Sequence, residues 1–307
     1  ANPNGDPVDE NKPRIDEETQ KNIVTDVRLK RTIRDYITHF KGIEIFVREI
    51  ELDSGTIQDA KLRAEDFLYK GETKLKKKDL KLKQMEDIIR ENILKSCIDI
   101  RLFGATIPVE KTSNDKGSVT FTGPVQFKYG KSLHKVKLQY VKGTGAFASK
   151  AGSKQKTFRE EYILPYSLIA FYGIINENAA KTTMLKEEDI DVLIDGIWNG
   201  TKNLITRSKT GQMPRLLIQV VFKEDNFHIG ELDKRIKFIT DKNQEEIRDI
   251  QDGKLEIKEL IAALNIHKNS IESINFKVDE RLIITVEGKE ASLKDALSGF
   301  NTKELLF

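Results

Sequence analysis

The chain has 307 residues, 38% hydrophobic and 33% charged, with a formal net charge of +3. That is enough to bury a sizeable core, as one large domain or a domain with insertions. No apolar run approaches the roughly 20 residues that cross a bilayer, which excludes a helical membrane protein. No secretory signal opens the chain, and the expectation is a cytoplasmic globular protein. The single cysteine, Cys97, excludes an internal disulfide. It reads as a buried, reduced thiol.

The small net charge hides an uneven distribution, which matters more than the sum. Residues 70–83 hold seven lysines against two acids, residues 142–159 five basic residues and no acid, and residues 202–215 four and no acid. The plain reading of each is a solvated face. Two of the three are also rich in Gly and Ser, which suits loops that meet an anion.

In chain order, residues 1–20 are polar, with the dense turn signal of Asn2 to Pro7. A helix starts at Thr25, whose hydroxyl caps the first turn, with Asp26 at its positive end. Val27, Ile33, Tyr36, Ile37 and Phe40 are the expected buried side. Arg28, Lys30, Arg31 and Arg34 crowd the rest, and Arg31 and Asp35 are spaced to pair. Residues 43–50 read as a strand, 59–69 and 80–95 as helices, and 98–103 as a second strand ending at Gly104. Residues 111–123, with Gly117 and Gly123, read as a flexible turn region. Strands are expected at 125–129 and 136–140, the latter with Lys135, Lys137 and Gln139 wet and Val136, Leu138 and Tyr140 dry.

Residues 142–157 hold only Phe147 as a sizeable apolar side chain, and read as a long loop, functional or disordered. Residues 164–175 read as one long strand. A helix over 187–198 follows, with Ile190, Leu193, Ile194 and Ile197 as its stripe and Trp198 in the core. Residues 203–214 are a second basic loop and 216–222 a strand. Residues 225–270 mix short strands and helices, 272–278 and 281–286 read as a hairpin, and 292–297 as a closing helix. Strands interrupted by helices imply an α+β sheet with helices on one side.

The common catalytic patterns are missing. His39, His134, His228 and His267 are isolated in sequence, and no HExxH, paired CxxC, calcium loop or nucleophile elbow occurs. Gly130-Lys131-Ser132 resembles the tail of a phosphate-binding loop, but Val125 stands where its first glycine belongs. No metal or cofactor is expected. His134, between basic neighbours, is a surface histidine at a turn or, alternatively, the general base of a metal-independent ribonuclease. What is present suits phosphate oxygens: arginines and lysines give charge-assisted hydrogen bonds, and glycine loops offer amides. Such contacts position a polymer without reading its bases.

The motif Asn2-Pro-Asn-Gly-Asp-Pro7, then Arg14, then Thr25-Asp-Val-Arg-Leu-Lys-Arg-Thr-Ile-Arg-Asp-Tyr36 resembles the guide-RNA-binding, RAMP-class backbone subunit family of type I CRISPR surveillance complexes (Cascade), subtype I-B nearest. Asp99-Ile-Arg-Leu-Phe-Gly104, Gly123-Pro-Val-Gln126 with Ser132-Leu-His134, Phe171-Tyr-Gly173, and Arg207-Ser-Lys-Thr-Gly-Gln212 with Pro214-Arg215 continue the likeness over about two thirds of the chain. The resemblance implies a modified ferredoxin-like (RRM-type) palm over residues 1–307, with a helical, finger-like insertion near 52–96 and a thumb-like loop at 141–159.

It implies no catalysis. Copies stack in a helical filament along CRISPR guide RNA, each holding the backbone on its palm while its thumb interrupts the guide–target duplex, so that base pairing reads the target DNA. Other implied partners are the 5′-end RAMP-like subunit, the large PAM-reading subunit and the repeat-processing endoribonuclease. The implied backbone contacts are Arg14, Arg28, Lys30, Arg31, Arg34, Arg101, Lys131, His134, Arg207, Ser208, Lys209 and Gln212. Asn2, Asn4, Gly5 and Asp6 shape the palm loop, and Lys142, Phe147, Lys150, Lys154 and Lys156 belong to the thumb-like arm. Family members carry a first β-strand before the Asn-Pro-Asn-Gly-Asp-Pro block. Either that strand precedes Ala1, or another segment takes its place. A protein-only structural subunit is the third reading.

Overall fold

The computed structural model describes residues 1–52, 55–144 and 158–307. The chain is a mixed α+β fold of several small sheets and helices, and it divides into two compact units. One comprises residues 1–29, 127–172 and 201–307, the other residues 30–126 and 173–200.

In the first unit, Gly5–Asp6 pairs with Lys12–Pro13 to close the N-terminal loop. A four-stranded antiparallel sheet has the order Ile169–Ala170, Gly130–Ser132, Lys21–Val24, Ile15–Asp16. Gln139–Thr144 and Phe158–Ile163 form an antiparallel ribbon. Two further sheets follow: Leu216–Phe222, Ile271–Val278, Thr302–Glu304, and Lys237–Ile239, Lys254–Glu256, Ile284–Val286, Lys289–Glu290. With the helix Lys258–Ile266 they enclose a core that includes Ile250, Ile257, Leu264, Ile274 and Leu297, all fully buried.

The second unit is built on the helix Leu82–Ser96. Met85, Ile89 and Ile93 recur every four residues and are fully buried, as the apolar period predicts. They pack with the hairpin of Gly104–Thr112 and Asp115–Thr122. The helix Glu187–Lys202 presents Leu193, Ile194 and Trp198 inward as expected. Cys97 is buried in this core, and burial pushes its thiol pKa well up.

Several local expectations fail, each for a physical reason. Residues 98–103 form a helix, not a strand. All six are buried, so the apparent alternation carried no information about period. Residues 43–50 form no strand either, because side chains take their backbone groups. The Asp99 carboxylate accepts the amides of Phe46 and Val47 at 2.7 and 3.1 Å, and Arg63 donates to the carbonyls of Ile45 and Phe46. Residues 111–123 belong to the long hairpin. Gly123 is there for close approach, since a Cβ would lie 2.0 Å from the Phe103 carbonyl carbon, and Gly104 for its φ of +66°.

In the first helix, Asp26–Tyr36, the buried stripe is Leu29, Ile33 and Tyr36, continuing to Ile37. Val27 and Phe40, expected inside, are 68% and 57% exposed. The expected 136–140 strand begins only at Gln139 and runs on to Thr144, and Tyr140 on its dry side is half exposed. Residues 164–175 form no single strand: past Pro165 they hold the shorter strands Ile169–Ala170 and Gly173–Ile175, parted at Phe171 and Tyr172 and joined to different sheets. The expected 272–286 hairpin does not form, because Ile271–Val278 and Ile284–Val286 join different sheets.

Candidate nucleic-acid interface

The polar chemistry of the first unit gathers around its N-terminal loop. Asn4 Oδ1 accepts both the amide (2.8 Å) and the hydroxyl (2.9 Å) of Thr25. The Thr25 hydroxyl oxygen in turn accepts the Arg28 amide at 3.3 Å. The loop is therefore pinned to the start of the helix that carries Arg28. Arg14 Nη1 donates to the carbonyls of Gly5 and Asn4, and its Nε lies 3.5 Å from the Asp6 carboxylate. Its guanidinium shapes the loop from inside. Asn2 donates its side-chain amide to the Asn11 carbonyl and its backbone amide to the Ser208 carbonyl at 3.0 Å. That last bond joins the two sequence motifs that lie farthest apart.

The Arg207–Gln212 segment is an ordered turn. Thr206 O accepts the amides of Lys209 and Thr210, and Lys209 O accepts that of Gln212. Lys209 donates to the Ser208 hydroxyl. Burial first, and then the positive charge of Arg28, push the Lys209 pKa below its ordinary value. The charge of Arg28 thus bears on Lys209 where water is partly excluded, and an anion there would lower the cost to Lys209. Asn2 Oδ1 and Gln212 Nε2 are buried without a hydrogen-bond partner among the described residues. Arg207 forms an ion pair with Glu161 on the ribbon, and its side chain is half exposed.

The middle of the four-stranded sheet holds a polar network. Asn22 is fully buried. Its backbone amide donates to Ser132 Oγ, whose hydroxyl donates to the His134 carbonyl. Ser167 donates to Asn22 Oδ1. Lys131, between buried Gly130 and Ser132, points outward with its Nζ 3.9 Å from Asp16. His134 is 2% exposed, not on the surface. Its Nε2 accepts the Leu168 amide at 3.2 Å, and its Nδ1 faces the carbonyls of Lys135 and Gln244 at 2.8 and 3.2 Å. The ring is a neutral Nδ1–H tautomer with both nitrogens engaged, which leaves no lone pair for general-base chemistry.

Burial also lowers the His134 pKa from its ordinary value of 6.5. As pH falls below that value the unfolded chain takes up a proton first, so stability is lost between the unfolded and the lower folded pKa. The thermal midpoint of the native protein is expected to fall more steeply from pH 7 to 5 than that of a His134→Gln variant.

The arginines of the second unit divide differently. Lys30 and Arg34 both lie over the Phe103 ring, at 5.8 and 5.1 Å. Arg34, 12% exposed, pairs with fully buried Asp99 at 2.9 Å. Arg101 makes a bidentate pair with Asp189 at 2.7 Å and donates to the Leu94 carbonyl, with both side chains buried. Its guanidinium is consumed inside the unit. Arg31 is exposed and paired with Asp35, as spacing suggested.

On the ribbon, Lys142 lies 3.4 Å from Glu160, opposite it in register. Tyr140 and Tyr162 face each other across the ribbon, ring centroids 5.4 Å apart. Sequence inspection missed the acids of this stem, because the acid-free stretch ends one residue short of Glu160. Phe147, Lys150, Lys154 and Lys156 lie outside the described residues. Among the described residues, no three His, Cys, Asp or Glu side chains gather as a metal site, and no helix is long and apolar enough to cross a membrane.

Comparison with known proteins places this geometry in a family. The family model for CRISPR-associated protein Cas7 matches residues 1–258, and the chain belongs to that family. A curated relative from Haloferax volcanii, described as CRISPR-associated protein Cas7, is 31% identical over 307 residues, covering 93% of this chain and 85% of the relative. A solved chain described as CRISPR RNA-guided surveillance complex, pre-nicking, has a similar fold. Its TM-score is 0.51 at 11% identity, over 96% of this chain and 93% of that one.

Proposed function

We propose that this protein is a non-catalytic backbone subunit of a type I surveillance complex, subtype I-B nearest, and that it holds guide RNA by its phosphates. The observation that carries the reading is the pair Arg28 and Lys209, gathered by the Asn4–Thr25 clamp and the Asn2–Ser208 bond. A phosphate set between two cations in a partly desolvated niche gains more than it does in open water. In this reading the first unit acts as the RRM-type, ferredoxin-like palm. The ribbon with residues 141–159 acts as the thumb, and the helical insertion near 52–96 lies within the second unit. Arg207, Ser208, Gln212 and Lys131 border the path, while Arg14, Asn2, Gly5 and Asp6 hold its shape.

Copies of the chain would line one guide and leave its bases free to pair with target DNA, beside the other subunits of the complex. Membership in the Cas7 family supports this, as does a fold similar to a chain from a surveillance complex. The ribonuclease alternative is disfavoured by the engaged nitrogens of His134. Mass measurement of the purified protein, with sequencing of any RNA that travels with it, tests the proposal. The expected result is a set of protein copies on RNA of fixed length. Assembly that proceeds without RNA and ignores ribonuclease would favour a protein-only structural subunit instead.

A further inference from the structure

One cavity of the first unit takes no part in the guide-binding reading. It measures about 500 Å³, and Glu10, Tyr140, Glu160 and Tyr162 line it. Three of these four come from one face of the ribbon. Tyr140 stands opposite Tyr162 and Lys142 opposite Glu160 in register, so the period of two puts these side chains on the same side. The ring centroids of the two tyrosines are 5.4 Å apart, with the planes tilted by 54°. Glu161 belongs to the other side and pairs with Arg207. Glu10 comes from the loop that Gly5–Asp6 and Lys12–Pro13 close. There it and Asn11 both take left-handed backbone, with φ of +47° and +57°.

The cavity already shows which charge it accepts. Lys12 Nζ sits over the Tyr162 ring, 5.0 Å from its centroid. The same ammonium lies 2.8 Å from Asp9 and 3.4 Å from Glu10. The negative face of an aromatic ring attracts a cation, and flanking carboxylates add to the pull. Lys142, 3.4 Å from Glu160, is the other ammonium at this place. Three carboxylates, those of Asp9, Glu10 and Glu160, thus face two lysines. Tyr140 registers two of these acids. Burial first, and then a hydrogen bond to Glu160 and the charges of Glu160 and Glu10, push its phenol pKa up. Glu10, Tyr140 and Glu160 are all exposed, so an incoming group can reach them. A phosphate is repelled here, which makes the rings a poor platform for a nucleotide. An alkylammonium or a guanidinium suits the place, because it can lie on a ring while donating to the carboxylates beside it.

We propose that this cavity is a socket for an organic cation, an alkylammonium or guanidinium group, held against the Tyr140 and Tyr162 rings by the carboxylates of Glu10 and Glu160. The test uses the full chain with ring-labelled tyrosines and follows their NMR signals. Tyr140→Phe and Tyr162→Phe identify the two signals. The probe is N-acetyl-arginine amide, whose only charge is its guanidinium, and the control is neutral N-acetyl-glutamine amide. The signals of Tyr140 and Tyr162 should shift saturably with the probe and stay in place with the control. The double variant Glu10→Gln, Glu160→Gln should bind the probe about tenfold more weakly. Lys12→Met removes the resident cation from the Tyr162 ring, and should tighten probe binding about threefold. That gain in affinity is one that a merely structural cavity does not give. Still signals, equal shifts with the neutral control, native affinity in the glutamine variant or weaker binding by Lys12→Met would each overturn the proposal. Sedimentation of the same preparations separates the sources of the cation. Self-association that the glutamine variant loses assigns the group to a side chain of a second copy. Displacement of the probe by spermidine, with no self-association, assigns it to a free polyamine.

Discussion

Replacing Asp99 with alanine is expected to destabilise the second unit by about 3–5 kcal/mol, the usual cost of stranding one member of a buried ion pair. Asp99 is fully buried, and its two carboxylate oxygens serve three donors. They accept the amides of Phe46 and Val47 and the guanidinium of Arg34, at 2.7, 3.1 and 2.9 Å. Alanine leaves Arg34 with no counter-charge at 12% exposure and two amides with no acceptor. The segment around residues 43–50 has no ladder to fall back on, and the amides of Phe46 and Val47 depend on this one side chain. Asparagine keeps the shape and one acceptor oxygen, and should lose less. Denaturant midpoints of the two variants check this. A loss under 1 kcal/mol for Asp99→Ala would show that the carboxylate does not organise the segment.

The same residue shows where sequence reading stops. Asp99 stands inside a motif that pointed to a nucleic-acid groove, and Arg101 was expected to reach it. Nothing local says that Asp99 spends its charge on a segment more than fifty residues earlier, or that Arg101 is answered by Asp189 from a distant helix. Pairings of this kind are set by tertiary structure. Long helices were legible, because Met85, Ile89 and Ile93 repeat over three turns and leave one answer. Short apolar runs were not. Residues 98–103 are buried on every side, and residues 272–286 offer two strands whose true partners lie elsewhere in the chain. In the first helix, Val27 and Phe40 were placed inside by an approximate period that the structure resolves onto Leu29, Ile33 and Tyr36.

For the candidate site, residue types were legible and their division of labour was not. The loop of Asn2 to Asp6 and the turn of Arg207 to Gln212 were both singled out, and one backbone bond from Asn2 to Ser208 joins them. Sequence could not tell that Arg14 turns inward to hold the loop while Lys209 is half-buried within reach of the Arg28 charge, because both are simply cations near glycines. Nor could it see that His134 is buried, since nearby lysines suggested a surface.

The account turns on whether a phosphate chain meets Arg28 and Lys209. Its most direct test is the affinity of the double variant Arg28→Glu, Lys209→Glu for two single-stranded RNAs of unrelated sequence, measured across salt. Reversal removes two attractive contacts and adds two repulsive ones, so affinity is expected to fall about a hundredfold or more for both RNAs alike. The salt slope should shrink by about 1.4, the share of two contacts to a single strand. Folding provides the control. Burial and Arg28 both act against the charge of Lys209, so Lys209→Gln should match or slightly exceed the native thermal midpoint while binding RNA less tightly. A double variant that stays folded and binds both RNAs with native affinity and native salt slope would contradict the account.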